Sequence, residues 1–313
     1  MEAHRQAAWQ LLQESTLRPD DVHSRLQQAL SPSYWEELNP SLSVNKDRAG
    51  KDIQSSGIDA SELDKLAAKL TEEGYFQTEP IISNVAIERM RECVAVLKKS
   101  VWPAVFAFVY DDFWQITRIP SVVKLLSSVL GPGYKQLPAI WGHYVNPNGG
   151  LGWRPHNDGS NKPNRLTVWI ALSDATLESG CMYVIPKNRV PRAITEQFHD
   201  IKTISREDLN IVLQSSRALP AHAGVLLGWD HGVIHWGSIS EQRSAPRISV
   251  SQEFISKQGD PPRYQGPLLD NHCLPPFRQR IQIISRAIVA YQKFEPLMIR
   301  FSDLAQELIL KTS

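Results

Sequence analysis

Three cysteines in 313 residues is few, and Cys93, Cys181 and Cys273 are odd in number and far apart. That argues against a disulfide framework and for a reducing, cytoplasmic setting. Long apolar runs are missing too: nothing approaches the roughly 20 apolar residues of a membrane-spanning helix. The opening MEAHRQAAWQLLQES is polar where a signal peptide would carry its apolar stretch. Charge of one sign is also lacking. A net charge of +1 offers no electrostatic case for nucleic acid or an anionic membrane as partner. What is present is 42% hydrophobic and 21% charged residues, an ordinary globular balance that allows a substantial core. The expected partner is a small molecule.

Residues 1 to about 60 read as a helical then irregular extension. Ala8, Leu11 and Leu12 form a short stripe, Ser31-Pro32 marks a break, and Tyr34 and Trp35 are packing anchors. A clear helix starts at Ser61, which forms a capping-box-like pair with Asp64. Leu63, Leu66, Ala67 and Leu70 make its buried face, and Gly74 is the stop. Tyr75-Phe76 begins a strand. Asn84 caps a second helix with the stripe Ile87, Met90, Val94 and Leu97. The aromatic run VWPAVFAFVYDDFW reads as core, with a pocket-lining role as the alternative. A third helix spans Ser121 to Leu130.

From about Leu137 to Phe254 the periodicity is strand-like: LPAIWGHYV, RLTVWIAL, CMYVIP, GVLLGWD, HWGSI and RISVSQEF, separated by Gly, Pro and Asn turns. Such a series predicts an antiparallel barrel or jelly roll. The polar stretch from about 187 to 222 is too long for a hairpin turn. It reads as a lid or substrate-facing insertion with a short helix from Arg206 to Gln214. After Pro276 a helix is predicted through Ile281, Ile284, Ile288 and Tyr291. Pro296 breaks it, and a last helix runs from Leu297 to about Lys311. Residues 261–313 would thus buttress a 61–260 core domain or form a homodimer contact.

The candidate chemistry centres on His156-Asn157-Asp158. On an extended backbone, residues i and i+2 point to one face, so His-x-Asp aims an imidazole and a carboxylate at one spot. His235, in GVIHWGS, is the best third ligand. Together they would make a facial two-His, one-carboxylate metal site with open positions, the arrangement of non-haem iron(II) oxygenases. His231 is placed in the turn before that strand, because Gly228, Gly232 and Gly237 oppose a helix. Arg247 and Ser249 share one face of RISVSQEF. A guanidinium fork beside a hydroxyl suits a dicarboxylate co-substrate; an exposed edge-strand Arg is the alternative. His143, alternating with Trp141 and Val145, either contacts substrate or is a core histidine. Trp153, Arg154, Asn157, Asn161, Trp229 and Trp236 are candidates for the pocket wall.

These residues resemble the phytanoyl-CoA dioxygenase-like branch of the iron(II)/2-oxoglutarate-dependent oxygenases. LAAKLTEEGYF, HND, LTVWIALSDATLESGCMYVIPKNR, AGVLLGWDHGVIHWGS and RISVS follow in the family's order, and the likeness covers roughly Ser61 to Phe254. Lys187-Asn188-Arg189 departs from the Gly-Ser-His-like turn that usually ends the central motif. The resemblance implies a mainly β fold with flanking helices, built on a double-stranded β-helix of the jelly-roll or cupin type. It implies Fe(2+) held by His156, Asp158 and His235, with 2-oxoglutarate and O2 as co-substrates. Arg247 would grip the far carboxylate of 2-oxoglutarate with help from Ser249, and Trp169 matches a position facing it. Asp158 occupies the position that related halogenases leave to a small residue, which favours hydroxylation, desaturation or oxidative cyclisation. With no basic cluster along the chain suited to a CoA phosphate, the expected substrate is a small metabolite or natural-product intermediate. Two other classes compete: a cupin-like divalent-metal hydrolase or isomerase, in which Arg247 has no purpose, and a non-catalytic binding barrel.

Overall fold

The computed structural model describes residues 17–44, 53, 56–159, 164–191, 194, 205–241, 244–259, 267–292 and 294–313. The stripe at Ala8, Leu11 and Leu12 and the pocket candidate Asn161 lie outside them. The first described elements, α1 (Pro19–Ala29) and α2 (Pro32–Leu38), pair with each other. The Ser31 hydroxyl accepts from the Tyr34 amide and caps α2. Trp35 is fully buried and stacks on Phe106 at 5.4 Å, so it is a packing anchor.

Helix α3 (Ala60–Glu73) is capped by Asp59, which accepts from the Glu62 amide and from the Ser61 hydroxyl. Ser61 is therefore not the cap. Aspartate one turn before the apolar stripe competes for that place and wins. Gly74 ends the helix at φ +84, and the chain turns directly into β1 (Tyr75–Gln77). Helix α4 (Asn84–Lys99) is capped by Ser83 rather than Asn84, and it buries Ile87, Met90, Val94 and Leu97. The aromatic run forms a 3-10 turn (Ala104–Val109) and α5 (Asp111–Gln115), both deeply buried. Helix α6 spans Pro120–Leu130.

The strands are β2 (Lys135–Val145), β3 (Arg165–Ala171), β4 (Met182–Ile185), β5 (Arg217–Leu219), β6 (Leu226–Asp230), β7 (Ile234–Gly237) and β8 (Arg247–Ile255). They form two antiparallel sheets, one in the order β1-β6-β3-β8-β2 and one in the order β5-β4-β7. Every residue of β3 is buried, as expected of a central strand covered on both faces. Of the 187–222 insertion, residues 192–193 and 195–204 lie outside the described set. The rest holds α7 (Arg206–Ser215), capped by Ser205, and β5 at the edge of the smaller sheet. Strand β5, Arg-Ala-Leu, is too short to show an alternation.

At the C-terminus, α8 (Phe277–Tyr291) buries Ile281, Ile284 and Ile288 against the buried 3-10 turn and β2. Beyond Pro296 the chain first makes a 3-10 turn (Pro296–Phe301) and only then α9 (Ser302–Thr312), so the last helix starts later than its apolar pattern suggests. A buried ion pair ties α8 to α5: Arg280 Nη1 lies 2.6 Å from Asp111 Oδ1, with both side chains essentially inaccessible. Helix outweighs strand among the described residues. The fold is therefore mixed α/β with antiparallel sheets rather than mainly β. The long helices at both ends supply most of the difference.

Candidate metal centre and co-substrate pocket

His156 and Asp158 lie in the loop between β2 and β3, and His235 lies on β7. The loop does not continue as a strand; two isolated bridges hold it, Leu151 to Ile239 and His156 to His235. His156 N donates to His235 O at 3.1 Å, and His235 N donates back to His156 O at 2.9 Å. Asp158 follows in a bend. Gly152 and Gly237 make this approach possible, since a Cβ on Gly152 would fall 2.5 Å from the Gly237 Cα.

Each imidazole is fixed by a backbone carbonyl two residues before it. His156 Nδ1 lies 2.7 Å from Arg154 O, and His235 Nδ1 lies 3.1 Å from Val233 O. A carbonyl only accepts, so both Nδ1 atoms carry the proton and both Nε2 atoms present lone pairs. Those lone pairs face Asp158 Oδ1 at 3.7 and 3.8 Å, and the three potential ligand atoms lie within 4.8 Å of one another. The His156 Nε2 is buried with no hydrogen-bond partner. Two lone pairs converging on a carboxylate oxygen repel each other unless a cation lies between them, so the donor set fits a divalent metal.

The other carboxylate oxygen is occupied. Asp158 Oδ2 accepts from Thr167 Oγ1 at 2.7 Å and from Trp229 Nε1 at 3.0 Å. Burial alone would raise the Asp158 carboxyl, but His235, His231 and His156 outweigh it and hold it down at about 2. Burial is likewise the largest influence on His235 and pushes it down to about 4, against the pull of Asp158. At neutral pH the site thus holds an ionised Asp158 carboxylate and a neutral His235.

A small cavity of about 40 Å³ opens between the two sheets at this group, lined also by Trp169, Ser251, Glu253 and Arg247. Arg247 is 1% exposed. Its side chain meets the Met182 sulfur, 3.1 Å from Nη1, and the face of Trp169, 5.9 Å from Cζ. Its Nε is buried without a partner, and no carboxylate comes within ion-pair distance among the described residues. Burial lowers this guanidinium to about 10, so it keeps its charge at neutral pH.

The remaining expected site residues fall in different places. Ser249 is fully buried with an unpartnered hydroxyl but does not line the cavity; Ser251, two residues on, does. Trp229 lines the cavity while holding Asp158. His143 and Trp153 stand between this cavity and a larger one outside it. Burial keeps the His143 imidazole well below its usual range. Asn157 lines neither cavity, and Trp236 stacks on Tyr183 instead. His231 lies in the turn before β7, 3.5 Å from Glu253. Thr167, Glu253, Tyr291, Phe294 and Glu295 were not legible as site residues. Phe294 stacks on Trp153 at 4.9 Å, and Glu295 Oε1 accepts from both Trp141 Nε1 and Trp153 Nε1, at 2.8 and 2.9 Å.

This fold and this His-Asp-His group resemble those of non-haem iron(II)/2-oxoglutarate-dependent oxygenases. The chain belongs to the phytanoyl-CoA dioxygenase (PhyH) family, whose profile matches residues 58–238. A phytanoyl-CoA dioxygenase of Arabidopsis thaliana is 26% identical over 159 residues, 48% of this chain and 53% of that relative. The chain thus spans about half the length of that curated relative. Among solved structures, the fold resembles the epimerase SnoN in complex with Fe3+, alpha ketoglutarate and nogalamycin RO. The TM-score is 0.53 at 17% identity, over 68% of this chain and 98% of that one. EctD from S. alaskensis, with 2-oxoglutarate and 5-hydroxyectoine, gives 0.52 at 13% identity, over 75% and 94%.

Proposed function

We propose that this protein is an iron(II)/2-oxoglutarate-dependent oxygenase acting on a C–H bond of a small molecule. The observation that carries the reading is Arg247: a fully buried cation, without a carboxylate partner among the described residues, in the same cavity as the His156-Asp158-His235 group. A buried lone charge costs several kcal/mol unless an anion meets it, and the distal carboxylate of 2-oxoglutarate is that anion. His156, Asp158 and His235 would hold iron(II), which with dioxygen would supply the coupling of 2-oxoglutarate decarboxylation to oxidation of the target, so that 2-oxoglutarate, O2 and R–H would become succinate, CO2 and R–OH in a hydroxylation.

The chain's own part is positioning. Thr167 and Trp229 turn Asp158 toward the metal, and the two carbonyls fix both imidazoles. Trp169 flanks Arg247, while Trp141, Trp153 and Tyr291 wall the cavity against water. Desaturation and oxidative cyclisation use the same arrangement. A cupin-like hydrolase or isomerase on this triad would leave Arg247 without a counter-charge. We further place the protein in a reducing compartment, on its free cysteines. No helix among the described residues is long and apolar enough to cross a membrane. A homodimer through the C-terminal helices would use the exposed Leu310 of α9.

The test is release of labelled CO2 from carboxyl-labelled 2-oxoglutarate. It should require iron(II) and oxygen and disappear in His235→Ala. Metal-dependent binding with no turnover of 2-oxoglutarate under any iron loading would refute the reading.

A further inference from the structure

Outside the metal cavity lies a larger one of about 770 Å³, within the range of small-molecule sites. The two share Trp141, His143 and Trp153, so whatever occupies the outer space borders the metal group. Much of its wall is apolar or aromatic. Its charged lining is lopsided: Lys98 from the end of α4, Arg154 from the loop before His156, and Arg300 from the C-terminal 3-10 turn, against Glu295 alone. Glu295 offsets one of the three charges at most: its Oε1 accepts from two indole N–H groups, Lys98 acts on its carboxyl only through space, and no ion pair joins it to the three cations among the described residues.

None of the three cations is in an ion pair among those residues. The Lys98 ammonium lies over the Tyr144 ring at 5.1 Å, and Arg300 lies over the Phe301 ring at 5.2 Å with its Nε buried and unpartnered. Behind them Arg25 lies over Trp102 at 4.7 Å and donates to the Ser100 carbonyl. Positive charge held on aromatic faces beside an apolar hollow is complementary to an anion joined to an apolar body. Along the chain these cations are some 200 residues apart, by Lys98 and Arg300, which is why no basic cluster is visible there.

We propose that the outer cavity is the substrate site and takes a largely apolar small molecule bearing one carboxylate or phosphate. The anionic group meets Lys98 and Arg300, the body lies against Trp153 and Phe294, and the target carbon reaches the metal cavity past His143. Only the last step rests on the oxygenase reading; the binding site does not.

The test uses naphthoate and its uncharged amide, followed by tryptophan fluorescence, with iron(II) and 2-oxoglutarate present anaerobically so that Arg247 is occupied. Naphthoate should bind at least about tenfold tighter than the amide, a factor worth about 1.4 kcal/mol. Lys98→Gln with Arg300→Gln should remove that preference and leave amide binding unchanged. Lys98→Glu with Arg300→Glu should invert it toward naphthylmethylamine, which shows that a folded pocket is being read. Naphthyl phosphate in a parallel titration separates phosphate from carboxylate as the anion. Equal binding of naphthoate and amide, or a preference untouched by the double variants, overturns the proposal. If the iron and 2-oxoglutarate chromophore is present in that sample, the oxygenase reading survives such a failure; if it is absent, the two fail separately.

Discussion

Trp229 Nε1 donates to Asp158 Oδ2 at 3.0 Å. This bond, with that from Thr167, decides which carboxylate oxygen faces the imidazoles. Trp229→Phe keeps the ring and removes the donor. Iron(II) affinity should fall about 10- to 100-fold, the usual effect of losing a partner that orients a metal ligand. Thr167→Val should act in the same direction. Competition with a calibrated chelator reads this directly, and an unchanged affinity in both variants would show that Asp158 needs no such support.

Arg247 is fitted between Trp169 and Gly237. A Cβ on Gly237 would lie 2.8 Å from Arg247 Nη2. Arg247→Gln should weaken 2-oxoglutarate by about 2–5 kcal/mol, as expected for losing a buried charge contact, with iron affinity kept. Gly237→Ala should displace the guanidinium and weaken 2-oxoglutarate by less. The readout is the KM for 2-oxoglutarate beside the iron affinity. Parallel loss of both would mean a general collapse of the site.

The Asp111–Arg280 pair fastens the C-terminal helix to the buried aromatic segment, and Arg280 also donates to the carbonyls of Val109 and Pro275. Arg280→Ala should cost about 3–5 kcal/mol, because it strands a buried carboxylate. Arg280→Met combined with Asp111→Leu should cost less than either single truncation. Denaturant unfolding of the three variants checks the order.

Glu295 supplies the pH dependence of the C-terminal clasp. Burial, the largest influence, raises its carboxyl above the usual value, against the hydrogen bonds from Trp141 and Trp153. The native state then holds that proton more firmly than the unfolded chain. Its contribution is full below the ordinary glutamate value of about 4.3 and is lost as pH rises through the native value. Glu295→Gln keeps the acceptor and drops the titration. The Tm of the variant relative to the parent should therefore rise between acid and neutral pH, and a flat difference would contradict the assignment.

What was legible in the sequence is local or ordered. His156, Asp158, His235 and Arg247 stand in recognisable runs, and the alternation in RISVSQEF and the stripe of α4 mark their elements. The caps lie one or two residues earlier than Ser61 and Asn84 because Asp59 and Ser83 accept from the Glu62 and Ala86 amides and start the helices there. The hydrogen bonds of Thr167 and Trp229 to Asp158, and of Trp141 and Trp153 to Glu295, join segments with no shared periodicity. Only the packed chain brings them together. The same holds for Lys98 and Arg300, and for the helical mass at both ends that makes the fold mixed rather than mainly β.

The most direct test of the central claim is an anaerobic titration of apo-protein with iron(II) and 2-oxoglutarate, watched by visible absorption, with His235→Ala and Arg247→Gln alongside. The account predicts a metal-to-ligand charge-transfer band that needs both components, vanishes in His235→Ala and shifts to much higher 2-oxoglutarate concentrations in Arg247→Gln. Bound iron with no band at any 2-oxoglutarate concentration would contradict it and turn the triad toward hydrolase or isomerase chemistry.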